Sequence, residues 1–247
     1  MANKDEVIGK ILADAYGFGT GRPDIGSFRE DLKDTGSNFI GAVLNGAKLK
    51  GAVLEGARFS GATLIGADLE GASLARADLE SAILTGGETN LRGVNFTDAT
   101  LRFADLSGAH LEDAVFEGAH LPDARLIKSK LAGASLIGAD FDGALLNDAD
   151  LRGAELEGAN FKGADLRGAD LRGAQIWGAK MIGTKIEGVR INEGQMLALA
   201  VATRLVHVGV AKETPMAEVK RLLEEKGAKI ELATVKSEEK KLPQKIR

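Results

Sequence analysis

The stretch Asn160-Phe161-Lys162-Gly163-Ala164-Asp165-Leu166-Arg167-Gly168-Ala169-Asp170-Leu171-Arg172-Gly173 puts a large apolar residue at every fifth position. Traced outward, the same series begins at Phe39 and runs through Leu44, Leu49, Leu54, Phe59, Leu64, Leu69, Leu74, Leu79 and Leu84. Two extra residues intervene around Gly86-Gly87-Glu88, and the series resumes at Leu91 and continues to Ile191. That is 10 units before the insertion and 21 after it, 31 in all. A small residue, usually Ala, sits two places before each large one, and Gly dominates two places after it, as at Gly41, Gly108 and Gly163. The unit reads A-(D/N/x)-L-x-G.

A period of five selects the backbone. On an α-helix, five residues advance about 500°, so successive leucines would step about 140° and smear over every face. In a strand, side chains two apart share a face, so the Ala and Leu of one unit point the same way. An odd period cannot continue that alternation. The chain must therefore turn once per unit, with Gly supplying the corner. The phenylalanines indicate how many sides the coil has. Phe39 and Phe59, Phe96 and Phe116, and Phe141 and Phe161 are each twenty residues apart. In a four-sided coil each pair stacks, one turn above the other.

Units such as Ala67-Asp68-Leu69-Glu70-Gly71 and Ala164-Asp165-Leu166-Arg167-Gly168 resemble the pentapeptide-repeat family over roughly residues 38–191. The resemblance implies an all-β solenoid, a right-handed quadrilateral parallel β-helix with leucines indoors. Four units per coil give a rod roughly 35–40 Å long at the ~4.8 Å spacing of paired strands.

A solenoid exposes unpaired backbone at both ends and needs caps. Residues 1–37 are expected to cap the first coil. Val7, Ile8, Ile11, Leu12 and Ala15 give residues 4–15 one apolar helical face behind an Asn3 N-cap, and Gly17 to Ser37 form a connector. Within it, Gly17-Phe18-Gly19-Thr20-Gly21-Arg22 lacks a Walker lysine and follows a helix, so it reads as a plain link. Residues 192–235 read as an α/β C-terminal segment. Asn192 caps a helix reaching about Leu205, and Val206 to Val210 are β-prone. A second helix starts at Thr214-Pro215 and ends near Gly227, and Lys229 to Leu232 form a strand. Residues 236–247 make a charged tail. The C-terminal segment is either an enlarged cap or an assembly module, with Met196, Leu199, Val206 and Val208 as the residues through which a homodimer would form.

Composition narrows the function classes. The 247 residues include 32 Gly and no Cys, which excludes disulfides and thiolate metal sites and suits a reducing, cytoplasmic setting. The charged start suggests no secretory signal, and no apolar run approaches the ~18–20 residues of a membrane span. His110 and His120 are half a coil apart, on opposite walls, so they cannot share a metal. No catalytic motif occurs, and leucines inside with polar groups on flat walls leave no cleft. The expectation is no enzyme, no cofactor and no metal.

Function is then sought on the outward positions. One wall, centred on Leu54, Leu74, Phe96, Phe116, Leu136, Leu156 and Ile176, has no basic residue among its flanks. It carries Glu55, Val115, Glu117, Ile137, Glu155, Glu157 and the chain's one tryptophan, Trp177. Exposed Ile, Val and Trp among acids mark a protein-binding face. The opposite wall mixes Arg125, Ile127, Leu145 and Arg167. The reading is a non-enzymatic scaffold that presents a docking wall to a protein partner. The alternative follows from family members that bind DNA gyrase, a type II topoisomerase, and protect it from quinolones by imitating duplex DNA. Residues 38–191 carry 21 acidic and 16 basic side chains, a net of −5, which is weak for mimicry. No basic stripe with interleaved aromatics appears, which disfavours direct nucleic-acid binding.

Overall fold

The computed structural model describes residues 38–205 and 214–231. The sequence-based expectations for residues 1–37, for Val206 to Val210 and for the tail from Lys236 lie outside those residues.

The repeat coils as a right-handed quadrilateral β-helix. Parallel bridges join each residue before a large apolar one to its counterpart twenty positions on, as in Val43↔Thr63, Val115↔Ser135 and Glu155↔Gln175. Four such columns make four walls. Large apolar residues and alanines fill the interior, and Phe59, Phe96, Phe116, Phe141 and Phe161 are among the fully buried side chains. The three phenylalanine pairs stack with ring centroids 4.7, 4.9 and 4.9 Å apart.

The backbone bonding explains the unit. The amide of each large residue donates to the next coil, as in Leu44 N to Thr63 O at 2.7 Å, and so does that of the corner residue, as in Gly46 N to Ile65 O at 2.8 Å. The residue before the large one bonds back to the previous coil, as in Thr63 N to Ala42 O at 2.9 Å. The alanine closes the turn, as in Ala47 N to Leu44 O at 3.1 Å. One amide in five is left over, that of the residue after the large one. Where Asp or Asn precedes the large residue, its Oδ1 accepts that amide. Examples are Asn95 to Thr97 (2.9 Å), Asp105 to Ser107 (3.0 Å), Asp150 to Arg152 (3.2 Å) and Asp165 to Arg167 (3.2 Å). This local turn chemistry is a speciality of Asx side chains. It gives the frequent Asp a structural job.

The two extra residues bulge at one corner without breaking the fourfold count. Bridges across it simply lengthen to Asp68↔Asn90 and Ser73↔Asn95. Thr89 takes an inward alanine place, fully buried, where its hydroxyl donates to Thr85 O and accepts from Gly66 N.

The C-terminal end is closed by a small α/β cap. Strand β1 (Arg190–Asn192) leads through a 3-10 turn (Glu193–Gln195) into helix α1 (Met196–Ala202). Helix α2 (Met216–Glu225) follows, then strand β2 (Lys229–Glu231), which pairs in parallel with β1 and adds one rung to the rod. Gly227, at φ +81°, lets the chain reverse between α2 and β2 with its Cα facing Glu187. Gln195 acts as a plug. Its amide group donates to Leu171 O and Ala174 O, both at 2.7 Å, and the Ala174 carbonyl is one that another coil would otherwise engage.

Candidate surface for protein docking

The wall singled out by its composition is one continuous face. Val53, Ser73, Asn95, Val115, Ser135, Glu155 and Gln175 are bridged in order along it. Beside them runs the column Glu55, Ala75, Thr97, Glu117, Ile137, Glu157 and Trp177, and neither column contains Lys or Arg. Ile137 is 37 % exposed and Trp177 56 %. Glu55 pairs with the corner residue Arg76 at 3.4 Å and accepts from Ser73 Oγ at 3.2 Å, and Glu117 accepts from Ser135 Oγ at 3.4 Å. The carboxylates of Glu155 and Glu157 have no hydrogen-bond or ion-pair partner among the described residues.

Trp177 stands where this wall meets the cap, with a hollow of about 240 Å³ on each side. One is lined by Glu157, Gln175, Trp177, Gly194, Gln195 and Ala198, among others. The other runs past Trp177 to Lys180, Ile182, Ala198, Val201 and Arg204. The cap residues of this groove carry no repeat signal. Ile182 did have one, being an isoleucine at an outward position of its unit. Met196 and Leu199 face the other way, 2 % and 0 % exposed, because α1 must cover the last coil. They are therefore cap core and not surface contacts for assembly, and Val206 and Val208 lie outside the described residues.

Two of the other walls carry ion pairs; the third, with Glu80, Asp142 and Lys162, has none among the described residues, and exposed Ile40 stands on it while Val43, Ile65 and Ile83 stand on the wall opposite the docking face. The one holding Asp150, Asp170 and Arg190 is laced by ion pairs: Lys50–Glu70 (2.9 Å), Arg152–Asp150 (2.7 Å), Arg172–Asp170 (2.6 Å) and Arg190–Glu231 (2.7 Å). Glu231 of β2 also grips Arg172 at 2.7 Å, so the cap is tied to the rod by charge as well as backbone. Opposite the docking wall, Asp165 is held well below the ordinary carboxylate range, at about 2. The forked hydrogen bonds from Arg167 dominate over the opposing effect of burial, and Asn147 adds another. Such a carboxylate is permanently ionised and neutralised by its partner, which suits structure and not proton transfer.

His110 and His120 lie on opposite walls. His110 is bracketed by Arg92 (2.7 Å from Nδ1) and Lys130 (3.2 Å from Nε2), so cations crowd both ring nitrogens. No group of three or more potential metal ligands occurs among the described residues, and none of their helices is long and apolar enough to cross a membrane. At the Phe103 corner, Arg102 stacks its guanidinium 4.5 Å from the ring centroid.

A four-sided coil, an interior of Leu, Phe and Ala, and chemistry confined to flat walls define the class: a repeat solenoid. Comparison then gives the family. The model of pentapeptide repeats matches in eight copies between residues 37 and 188, well over half of the chain. The chain belongs to the pentapeptide repeat family, whose members are generally non-enzymatic structural or interaction proteins. No curated protein sequence matches it. Among solved structures it is similar to HetL of the cyanobacterium Nostoc sp. strain PCC 7120, a pentapeptide repeat protein involved in heterocyst differentiation regulation. Identity there is 28 %, covering 64 % of this chain and 90 % of that one, with a TM-score of 0.31. A pentapeptide repeat protein of the Arabidopsis thaliana thylakoid lumen is 34 % identical over 43 % of this chain and 70 % of that one, TM-score 0.36. QnrB1, a plasmid-mediated fluoroquinolone resistance protein, is 19 % identical over 70 % of this chain and 89 % of that one, TM-score 0.42.

Proposed function

We propose that this protein is a non-catalytic scaffold that docks a partner protein along the wall from Glu55 to Trp177. The carrying observation is that wall's combination of exposed Ile137 and Trp177 with Glu155 and Glu157, unpaired among the described residues, and two residue columns without Lys or Arg over seven successive coils. Exposed aromatic and aliphatic groups ringed by polar ones are what protein interfaces use for anchoring. A rigid rod also lowers the ordering cost of binding, since its side chains are presented on a preformed surface.

Imitation of duplex DNA is less well supported by the charge. DNA carries one negative charge per about 1.7 Å, or about 20 over seven coils at ~4.8 Å each. The wall offers four glutamates over that length, and Glu55 is paired.

The test is capture. Trp177→Lys and Ile137→Lys, both at exposed positions, leave the core untouched and reverse the wall's character. Loss of a specific binding partner from lysate in both variants, with unchanged circular dichroism, is the expected result. An unaltered set of captured proteins would remove this wall as the docking face.

A further inference from the structure

The groove at Trp177 has a chemical polarity that goes beyond the wall as a whole. On its rod side stands Glu157, unpaired among the described residues. In the middle is the indole face, with Ile182, Ala198 and Val201 beside it. On the far side stand Lys180 and Arg204, also without an ion-pair partner among the described residues. Several other exposed charges of the final coils are spent on one another, Arg152 on Asp150, Arg167 on Asp165, and Arg172 on Asp170 and Glu231, while Lys162, Glu187 and Glu193 stand singly, with no ion pair among the described residues. Here both signs are left open on either side of an apolar centre.

From the Glu157 coil across Trp177 to α1 is about two coil spacings, roughly 10 Å, the reach of about three extended residues. Each hollow, at about 240 Å³, has room for a large side chain. We infer that the groove takes an extended segment of a partner protein in which a cation, a large aliphatic side chain and a carboxylate follow one another. The cation lies with its stem over the indole and its charge toward Glu157, an arrangement that the ring quadrupole and the carboxylate both favour. The aliphatic group fills the hollow floored by Ala198 and Val201, and the carboxylate meets Lys180 and Arg204. This rests on the docking-wall reading and names the partner's chemistry at one end of it.

Trp177 is the only tryptophan in the chain, so its emission reports the groove directly. The full chain is titrated with three capped hexapeptides having Gly and Ser flanks and the cores Arg-Leu-Asp, Arg-Ser-Asp and Asp-Leu-Asp. The first is expected to shift Trp177 emission to the blue with saturation below about 1 mM, and the other two to bind at least about tenfold more weakly. Glu157→Lys is expected to weaken the Arg-Leu-Asp peptide by about tenfold or more and to strengthen Asp-Leu-Asp. Three equal midpoints, no response up to about 1 mM, or indifference to Glu157→Lys would overturn the inference.

Ile137→Lys separates the two levels, because Ile137 is two coils from Trp177 and touches neither hollow. If it abolishes partner capture while the peptides fail, the groove is wrong and the wall stands. If the peptides bind and Ile137→Lys changes no capture, the groove stands and the rest of the wall is wrong.

Discussion

Gly168→Ala probes how the corners of the coil stack. Gly168 has φ +75°, and the corner residue one coil earlier, Asp148 at φ +57°, lays its carboxylate across it. An alanine methyl there would lie 2.2 Å from Asp148 Oδ1 and 3.3 Å from its Cγ. Gly153, on the preceding turn with φ +68°, has nothing within 4 Å of the same point. Both alanines are forced into the left-handed region, at about 1–2 kcal/mol. Only Gly168→Ala must also drive Asp148 from its place, and an off-rotamer χ costs about 0.5–1.5 kcal/mol. Asp148 is exposed, so its carboxylate swings into water and the excess stays in that range. The expected losses are about 1–2 kcal/mol for Gly153→Ala and about 1.5–3.5 kcal/mol for Gly168→Ala. Adding Asp148→Gly to Gly168→Ala removes the difference, because the obstructing carboxylate is gone. Urea titration is followed by far-UV circular dichroism and by Trp177 emission. Trp177 lies in the same turn as Gly168 and reports local melting of a solenoid that need not unfold all at once. Equal losses for the two alanines, within about 0.3 kcal/mol, would refute the stacking argument. So would an Asp148→Gly that restores nothing.

Three further outcomes follow from the same geometry. Asp165 has a folded pKa of about 2, below its unfolded value of about 4, so its contribution is full above about pH 5 and is lost as pH falls through 2. Asp165→Asn should therefore cost about 2 kcal/mol at pH 7 and less than about a quarter of that at pH 2, read from urea midpoints at both. Gln195→Ala leaves the Ala174 carbonyl without its donor at the cap junction, at about 1–3 kcal/mol, and should accelerate amide exchange in α1 ahead of the central coils. Glu231→Gln loosens β2 from Arg172 and Arg190. Added salt should reproduce much of that loosening in the unmodified chain, measured as faster exchange at the Lys229 amide, which bonds to Val189 O.

The fold was legible because the interior imposes its period on the sequence. A residue at an inward position must fill the same space in every coil and satisfy any polar group locally, as Thr89 and Ser129 do, so Leu, Phe and Ala recur in phase along the rod. The wall containing Glu117, Ile137 and Trp177 followed by counting in fours, and the insertion at Gly86 did not disturb the count because the bulge is absorbed at a corner. The groove at Trp177 was not legible. It arises where a non-repeating helix crosses the last coil, and nothing periodic fixes which face of α1 points inward. Met196 and Leu199 illustrate the difficulty: two apolar residues on a short helix are equally good as interface or as lid until the helix is placed. Gln195 could have been suspected only by asking which side chain would quench the carbonyls of the terminal coil.

The leftover amide explains where partner chemistry can be written. Of the five positions in a unit, one carries the large buried residue, one the small buried residue and one the left-handed corner. A fourth, just before the large residue, is mostly half-buried, and where it is Asp or Asn its oxygen is engaged by the amide two residues on. Only the position after the large residue gives no amide to the hydrogen bonds that join coil to coil or close the turn, and its side chain points outward. On the wall of Asp150 and Asp170 that position holds Lys50, Arg92, Arg152 and Arg172, and each is paired with a carboxylate of the same wall. On the docking wall it holds Glu55, Ala75, Thr97, Glu117, Ile137, Glu157 and Trp177, and the last three have no side-chain hydrogen bond or ion pair among the described residues. A side chain free of structural duty and left unpaired is retained at no cost to the coil. The side chains at this single position can therefore change with a partner while the leucines behind them stay fixed, and Trp177, the largest of them, lies where the cap gives a bound segment a second side to rest against.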